Sequence, residues 1–481
     1  MVSATNPGTG AGSGPHERLP GSTVMRYAAG SLGTGGFATL PGLVLVYYLT
    51  DSLGVTALAA GAIVTLAKVW DVLIDPLIGG LSDRTKQRTG SRRGPMLLGA
   101  IGLPIAFVLT FAVPPGTPPV LAALWVLVAF VLAATCFSLF QVPYIALPAE
   151  LTSGYRERTR LLTWRVIVLT VAILLFGAGG PELRGSFPDH PLVGYLVMAI
   201  VAGIVLSAGM LVATRVAPRS TPGPAVPIAR AVPTAPAAPP APRGRFGSGL
   251  LVHYREGLAA LRDSQPFRAL LGTFVLQGLA TGLMLAGAQF VARWILGDEG
   301  AVTLLFVALI APALLVSPLW RILADRIGKE RAFRLASVVF LLAAVLLIGM
   351  TWAPGWWILA PVALAGAAYA GMQTLPMAML PDVISHDRAG GADRAGIFGG
   401  VWTAGETTGM ALGSTVLTVV LALTGYVEST AGVRVEQPGS AVSGIALSFS
   451  FLPALLMLAS LAVLTRYRLR EHDITATEES A

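Results

Sequence analysis

Three charged side chains, Lys68, Asp71 and Asp75, stand inside the apolar run that opens the stretch AKVWDVLIDPLIGGLSDR (67–84). Their spacing of three and four, continued by Gly79, places them on one face of a helix. Near the centre of a bilayer each charge costs about 2.5–3.5 kcal/mol on insertion scales. Two carboxylates one turn apart also repel. A structural pair of Lys68 with Asp71 is the competing reading, and it leaves Asp75 over. The face is therefore read as an ion site in a polar cavity, since hard cations take oxygen ligands. A further acid, Glu406, falls near the middle of a later apolar run; its competing reading is a helix-interface acid bonded to Thr403 or Thr407. Counting Lys68 and Arg165 against Asp71, Asp75 and Glu406 leaves one negative charge, which one monovalent cation would neutralise.

The elements that must hold these groups are membrane helices. Only 12% of the 481 residues are charged and 54% are hydrophobic, with a mean hydropathy of +0.72. A soluble chain carries about a quarter charged residues. Twelve apolar runs reach or approach the spanning length of about 18 residues: 24–50, 55–82, 95–113, 119–149, 158–177, 191–216, 267–296, 302–324, 332–352, 356–383, 395–423 and 441–464. The second run ends near Ser82, so a rise of about 1.5 Å per residue puts Asp71 and Asp75 near mid-bilayer.

Basic residues cluster in alternate loops: Arg84, Lys86, Arg88, Arg92 and Arg93; then Arg156, Arg158 and Arg160; then Arg326, Lys329, Arg331 and Arg334; and finally Arg466, Arg468 and Arg470. The intervening loops PPGTPP (114–119) and GDEG (297–300) carry none. By the positive-inside bias both termini are cytoplasmic. This distribution also explains the net charge of +8 without a nucleic-acid partner. The single Cys136 offers neither an intramolecular disulfide nor a thiolate metal site. Trp294, Trp352, Trp356 and Trp357 at run ends read as an interfacial belt. Gln277, Gln289 and Arg293 read either as cavity lining or as interhelical bonds with a snorkelling arginine.

The expected organisation is a disordered tail (1–23), a six-helix half (24–216), a Pro/Ala-rich linker (217–248), an amphipathic interfacial helix (249–265), a second half (266–465) and a tail (466–481). The halves repeat: DPLIGGLSDR (75–84) matches SPLWRILADR (317–326), and QVPYIALPAE (141–150) resembles QTLPMAMLPD (373–382). Repeated halves are a property of many secondary transporters, whose sites lie between them. Ser317 replaces Asp75 in the second copy while Pro318 is kept, so the carboxylate is not a packing requirement of the repeat.

The pattern K-x-x-D-x-x-x-D-P-x-x-G-x-x-x-D-R-T, followed by R-x-G and a basic pair before Pro95, resembles the second-helix signature of the glycoside–pentoside–hexuronide:cation symporters, the melibiose-permease branch of the major facilitator superfamily. YRERTRLLTWR (155–165) and PDVISHDRAGGADRAGIFGG (381–400) resemble the same family. The resemblance implies a twelve-helix fold with two pseudo-symmetric halves. It implies that Asp71 and Asp75 hold the coupling cation, Na+ or H+, with the hydroxyl of Ser138. It further implies that Arg165 contacts substrate, and that Asp83/Arg84, repeated as Asp325/Arg326, latch the cytoplasmic side. Departures fall at the sugar site. The first-helix sugar acid falls on Gly35 and its basic neighbour on Thr34. The fourth-helix acid is Gln141, the stacking tryptophan Ile145, and the eleventh-helix lysine Thr407, beside Glu406.

The expectation is a multi-pass plasma-membrane symporter, monomeric and without cofactor, not an enzyme, that moves a sugar or related solute through the lipid bilayer. A lysolipid carrier, a proton-coupled drug exporter and a non-transporting sensor are the alternatives.

Overall fold

A computed structural model describes residues 18–152, 155–218, 261–389, 395–433, 435–467 and 469. The linker after its first two residues, most of the expected interfacial helix and most of both terminal tails lie outside them. Twelve helices are long and apolar enough to cross a membrane: α1 (Gly21–Ser52), α2 (Ala57–Thr89), α3 (Arg93–Phe111), α4 (Pro119–Pro148), α5 (Glu157–Gly185), α6 (Pro191–Thr214), α7 (Gln265–Trp294), α8 (Ala301–Ile327), α9 (Lys329–Thr351), α10 (Trp356–Asp387), α11 (Phe398–Leu423) and α12 (Gly439–Leu464). Helix α1 begins three residues before the boundary read from sequence. Its regular helix is interrupted at Gly30 and ends in the π turn Tyr48–Ser52. Helix α12 is interrupted at Ser450.

Local chemistry sets the ends of α2. The Thr56 hydroxyl accepts from the Ala59 N–H at 3.4 Å, capping the first turn. Gly90 closes the other end with φ +73° and returns its N–H to the Lys86 carbonyl, a left-handed cap that glycine adopts without a Cβ clash. Lys86 and Arg88 complement the negative helix terminus. At 33 residues, α2 is about 50 Å long. It therefore runs well past a hydrocarbon core of about 30 Å, which is why it continues beyond the Ser82 end read from apolarity.

The same packing pattern occurs twice. In the first half α1 lies on α5, α4 on α2 and α3, and α3 on α6; in the second α7 lies on α11, α10 on α8 and α9, and α9 on α12. The halves meet through α2 with α11, α5 with α8, and α1 with α7, pairs that a two-fold axis between the halves exchanges. Aromatic side chains fill each half. Phe37 packs on Phe107, Phe130 and Phe137, and Phe274 stacks on Trp402 with centroids 4.5 Å apart.

The named contacts between halves lie at the end holding the α1–α2, α5–α6, α7–α8 and α11–α12 loops. Thr65 and Thr415 hydroxyls lie 2.5 Å apart, and a bridge pairs Leu53 with Thr430.

Candidate functional site

Helix α2 brings its charges to α4. Lys68 Nζ lies 3.2 Å from Asp71 Oδ2, the structural pair weighed from sequence. Asp71 Oδ1 is buried and has no hydrogen-bond partner. Asp75, one turn on, is exposed and accepts a hydrogen bond from the Ser138 hydroxyl. Ser138 itself is 3% exposed, so α4 holds that oxygen in place. An orphan carboxylate oxygen, a second carboxylate and the lone pairs of a donating hydroxyl form an acceptor-rich set suited to a small hard cation.

The same face of α4 continues into the second cluster. Ser138, Gln141 and Ile145 follow one another at helical spacing. Thr34 on α1 donates to Gln141 Oε1 at 2.7 Å. One turn on, the Tyr144 hydroxyl donates to the Tyr27 carbonyl at 2.8 Å and lies 3.1 Å from the Ser31 hydroxyl. The Arg165 guanidinium from α5 stands over the Tyr144 ring at 5.5 Å. The candidate ion and solute residues of the first half thus share one helix face, with Ile145, 53% exposed, at its open end.

Gly35 is a different matter. A Cβ there would sit 2.8 Å from Ala172 Cβ and 2.9 Å from the Leu169 carbonyl. Helices α1 and α5 have closed over the place where the resembling family carries its sugar acid.

Glu406 and Thr407 lie on α11 in the other half. Thr407 donates to the Thr403 carbonyl and Thr403 to the Gly399 carbonyl, at 3.0 and 3.1 Å. Neither hydroxyl reaches Glu406, which has no hydrogen-bond or ion-pair partner among the described residues. Gln277 Nε2 donates to Ser337 Oγ at 2.8 Å. Gln289 is buried with both amide atoms unpartnered. Arg293 pairs with Glu299 at 2.8 Å, so it is a network residue and not a snorkelling end.

Of the proposed latch residues, Asp83 is engaged within its own half. Asp83 pairs with Arg92 at 2.6 Å, and Glu150 takes both Arg92 and Lys86, at 2.6 and 2.8 Å. Burial alone would raise the Glu150 carboxyl, but Lys86 and Arg92 outweigh it and hold it below its ordinary value. In the second half Lys329 pairs with Asp382 at 2.7 Å. Asp325 and Arg326 are exposed, with no ion-pair partner among the described residues.

Sequence reasoning missed a polar network across the halves at the opposite end. Glu299 lies 3.4 Å from Arg184 of the first half and 2.8 Å from Arg293 of the second, and Tyr47 donates to it at 3.3 Å. Tyr426 donates to Asp51 at 2.5 Å, and Glu428 accepts from the Ala57 N–H at 2.9 Å. The acidic GDEG loop was legible as a sidedness marker; its bridging role needs Arg184, which no motif or spacing links to it.

The family model of the MFS/sugar transport proteins matches residues 26–471. The chain belongs to that family. This MFS transporter is a multi-pass membrane protein. It is similar to the glucuronide carrier protein homolog of Escherichia coli, at 25% identity over 95% of this chain and 94% of the relative. It is also similar to the mouse sodium-dependent lysophosphatidylcholine symporter 1, at 24% identity over 69% of this chain and 64% of the relative. A D-xylose–proton symporter structure shares the fold, with a TM-score of 0.65 at 14% identity, covering 92% of this chain and 96% of that one.

Proposed function

We propose that this transporter couples the entry of a monovalent cation, Na+ or H+, to movement of a sugar or related organic solute by alternating access. The observation that carries the reading is the shared face of α4. Ser138 bonds Asp75 at the ion set, and Gln141, one turn on, bonds Thr34 at the solute set. A cation bound at Asp71 Oδ1, Asp75 and Ser138 relieves carboxylate repulsion and steadies α2 against α4. That places Gln141 and Arg165 for solute, with Ile145 and, from the other half, Thr407 lining the path. Coupling is then the differential affinity of the ion for the two states.

The positive-inside bias puts both termini and the Lys86–Arg93 loop in the cytoplasm. The joined end of the halves is then extracellular, and the arrangement is inward-facing. In the opposite state the α2–α3 and α8–α9 loops, with Asp83/Arg84 and Asp325/Arg326, close the cytoplasmic side.

A second reading, cation-coupled carriage of a lysolipid or other amphiphile, is favoured by the exposed Ile145 and by the closure of α5 over Gly35. The deciding experiment uses purified protein in proteoliposomes. Sodium and proton gradients are imposed separately, and uptake of labelled sugars is compared with that of labelled lysophospholipids. Flux should follow one gradient and be lost in Asp75→Asn. Flux that ignores both gradients and survives Asp75→Asn rules out coupling through this site.

A further inference from the structure

We infer that the pocket between α7, α10 and α11 binds an ammonium group of the transported solute, with Glu406 as its counter-charge. The inference rests on the transporter reading above and specifies its substrate class.

The orientation of Gln277 is decided by its neighbours. Ser337 Oγ donates to the Phe333 carbonyl at 2.9 Å, and Ser460 Oγ donates to the Met457 carbonyl at 2.8 Å. Having spent their protons, both hydroxyls accept from Gln277 Nε2, at 2.8 and 3.5 Å. Gln277 Oε1 therefore points the other way. It is buried, on a residue 2% exposed, and has no partner. The Thr281 hydroxyl donates to the Gln277 carbonyl at 3.0 Å, so it too has only lone pairs to offer. Tyr369 and Gln373 satisfy each other at 2.6 Å. These side chains line one small pocket with Glu406 and Phe274, and no basic side chain lines it.

The pocket thus presents a carboxylate, an orphan amide oxygen and a hydroxyl oxygen, all acceptors, beside two aromatic rings. An unpaired acceptor in a buried site is costly, and an unpaired charge more so. The chemistry that satisfies all of them together is a cation bearing N–H donors.

Its level in the bundle fits transport. Helices α2 and α11 run antiparallel, and Thr65 lies against Thr415 while Gly61 faces Thr418. Continuing that register brings Asp71 and Asp75 level with the turn of α11 that carries Glu406. The ion set in one half and the ammonium pocket in the other thus lie at the same depth.

The test is thermal unfolding of the purified, reconstituted protein. The additives are methylammonium chloride, D-glucosamine hydrochloride, N-acetyl-D-glucosamine and NaCl, at matched ionic strength. Methylammonium reports the pocket whatever the rest of the natural solute is. Both ammonium probes should stabilise the wild type, and the neutral N-acetyl sugar should not. Glu406→Gln should raise the half-saturating concentration of methylammonium at least about tenfold, while Glu406→Asp keeps part of the response. Unchanged circular dichroism and gel-filtration profiles show that both variants are folded. An equal methylammonium response in Glu406→Gln overturns the inference. So does NaCl alone producing the Glu406-dependent shift, which would assign the pocket to an inorganic ion. Ammonium binding without any flux would remove the symport reading and leave this one standing. Sugar flux without an ammonium response would do the reverse.

Discussion

At Asp71 the two carboxylate oxygens have different fates. Oδ2 is held by Lys68 at 3.2 Å, and Oδ1 is buried without a partner. In the proposed ion site the lysine therefore leaves one oxygen of Asp71 unengaged, and the remaining acceptors are Oδ1, Asp75 and Ser138. A hydrogen bond or ligand contact to a charged group contributes about 1.5–3 kcal/mol. Ser138→Ala should accordingly raise the half-saturating coupling-ion concentration about 10–100-fold, measured in proteoliposome uptake, with solute affinity at saturating ion little changed. Gly35 makes the opposite kind of prediction. Its missing side chain is a packing requirement, because Ala172 Cβ and the Leu169 carbonyl occupy that space. Gly35→Ala should destabilise the fold by about 1–3 kcal/mol, read as a lower melting temperature in detergent.

At the scale of elements, the two halves tie their helices together in the same way. Glu150 ends QVPYIALPAE and takes Lys86 and Arg92; Asp382 ends QTLPMAMLPD and takes Lys329. In each half the helix after the D-R motif is fastened to the end of the fourth helix of that half. Each half can then rock as a unit. The Glu150 carboxyl, held below its ordinary value, contributes stability that is present above the usual carboxylate range of about 4.3. That contribution is lost as pH falls through its folded value. The melting-temperature gap between wild type and Glu150→Gln should therefore be widest near neutral pH and close as the pH drops below about 4. A gap that widens in acid would contradict the assignment.

At the scale of the whole molecule, the halves are joined at one end by α1–α7, α2–α11 and α5–α8, and by Glu299 held between Arg184 and Arg293. Alternating access requires that end to open. Leu53 and Thr430 face each other across an antiparallel bridge, with the Ala431 N–H bonded to the Ser52 carbonyl at 3.0 Å. Directly opposed residues in such a pair lie about 4.5–5.5 Å apart, within disulfide range. The double variant Leu53→Cys, Thr430→Cys should lose transport on oxidation and regain it on reduction. Cys136 is buried and does not compete. Glu299→Gln should weaken the same closure and increase labelling of a single cysteine placed at Thr303, measured against wild-type background.

Much of this protein was legible in the order of its residues, because the properties concerned are local. Run length and apolarity define the twelve spans, and period places Lys68, Asp71 and Asp75 on one face. The repeat of D-R and of the Gln-to-acid segments announced two like halves. Other properties depend on which surfaces meet. Neither apolarity nor spacing says that α5 closes over Gly35, that Glu299 stands between Arg184 and Arg293, or that Thr403 and Thr407 turn their hydroxyls to the backbone and leave Glu406 alone. The direction of the Gln277 amide was likewise decided by Ser337 and Ser460, on two other helices. A local pattern tells what a side chain can do; only the packed bundle, by supplying or withholding a partner, determines what it is left to do.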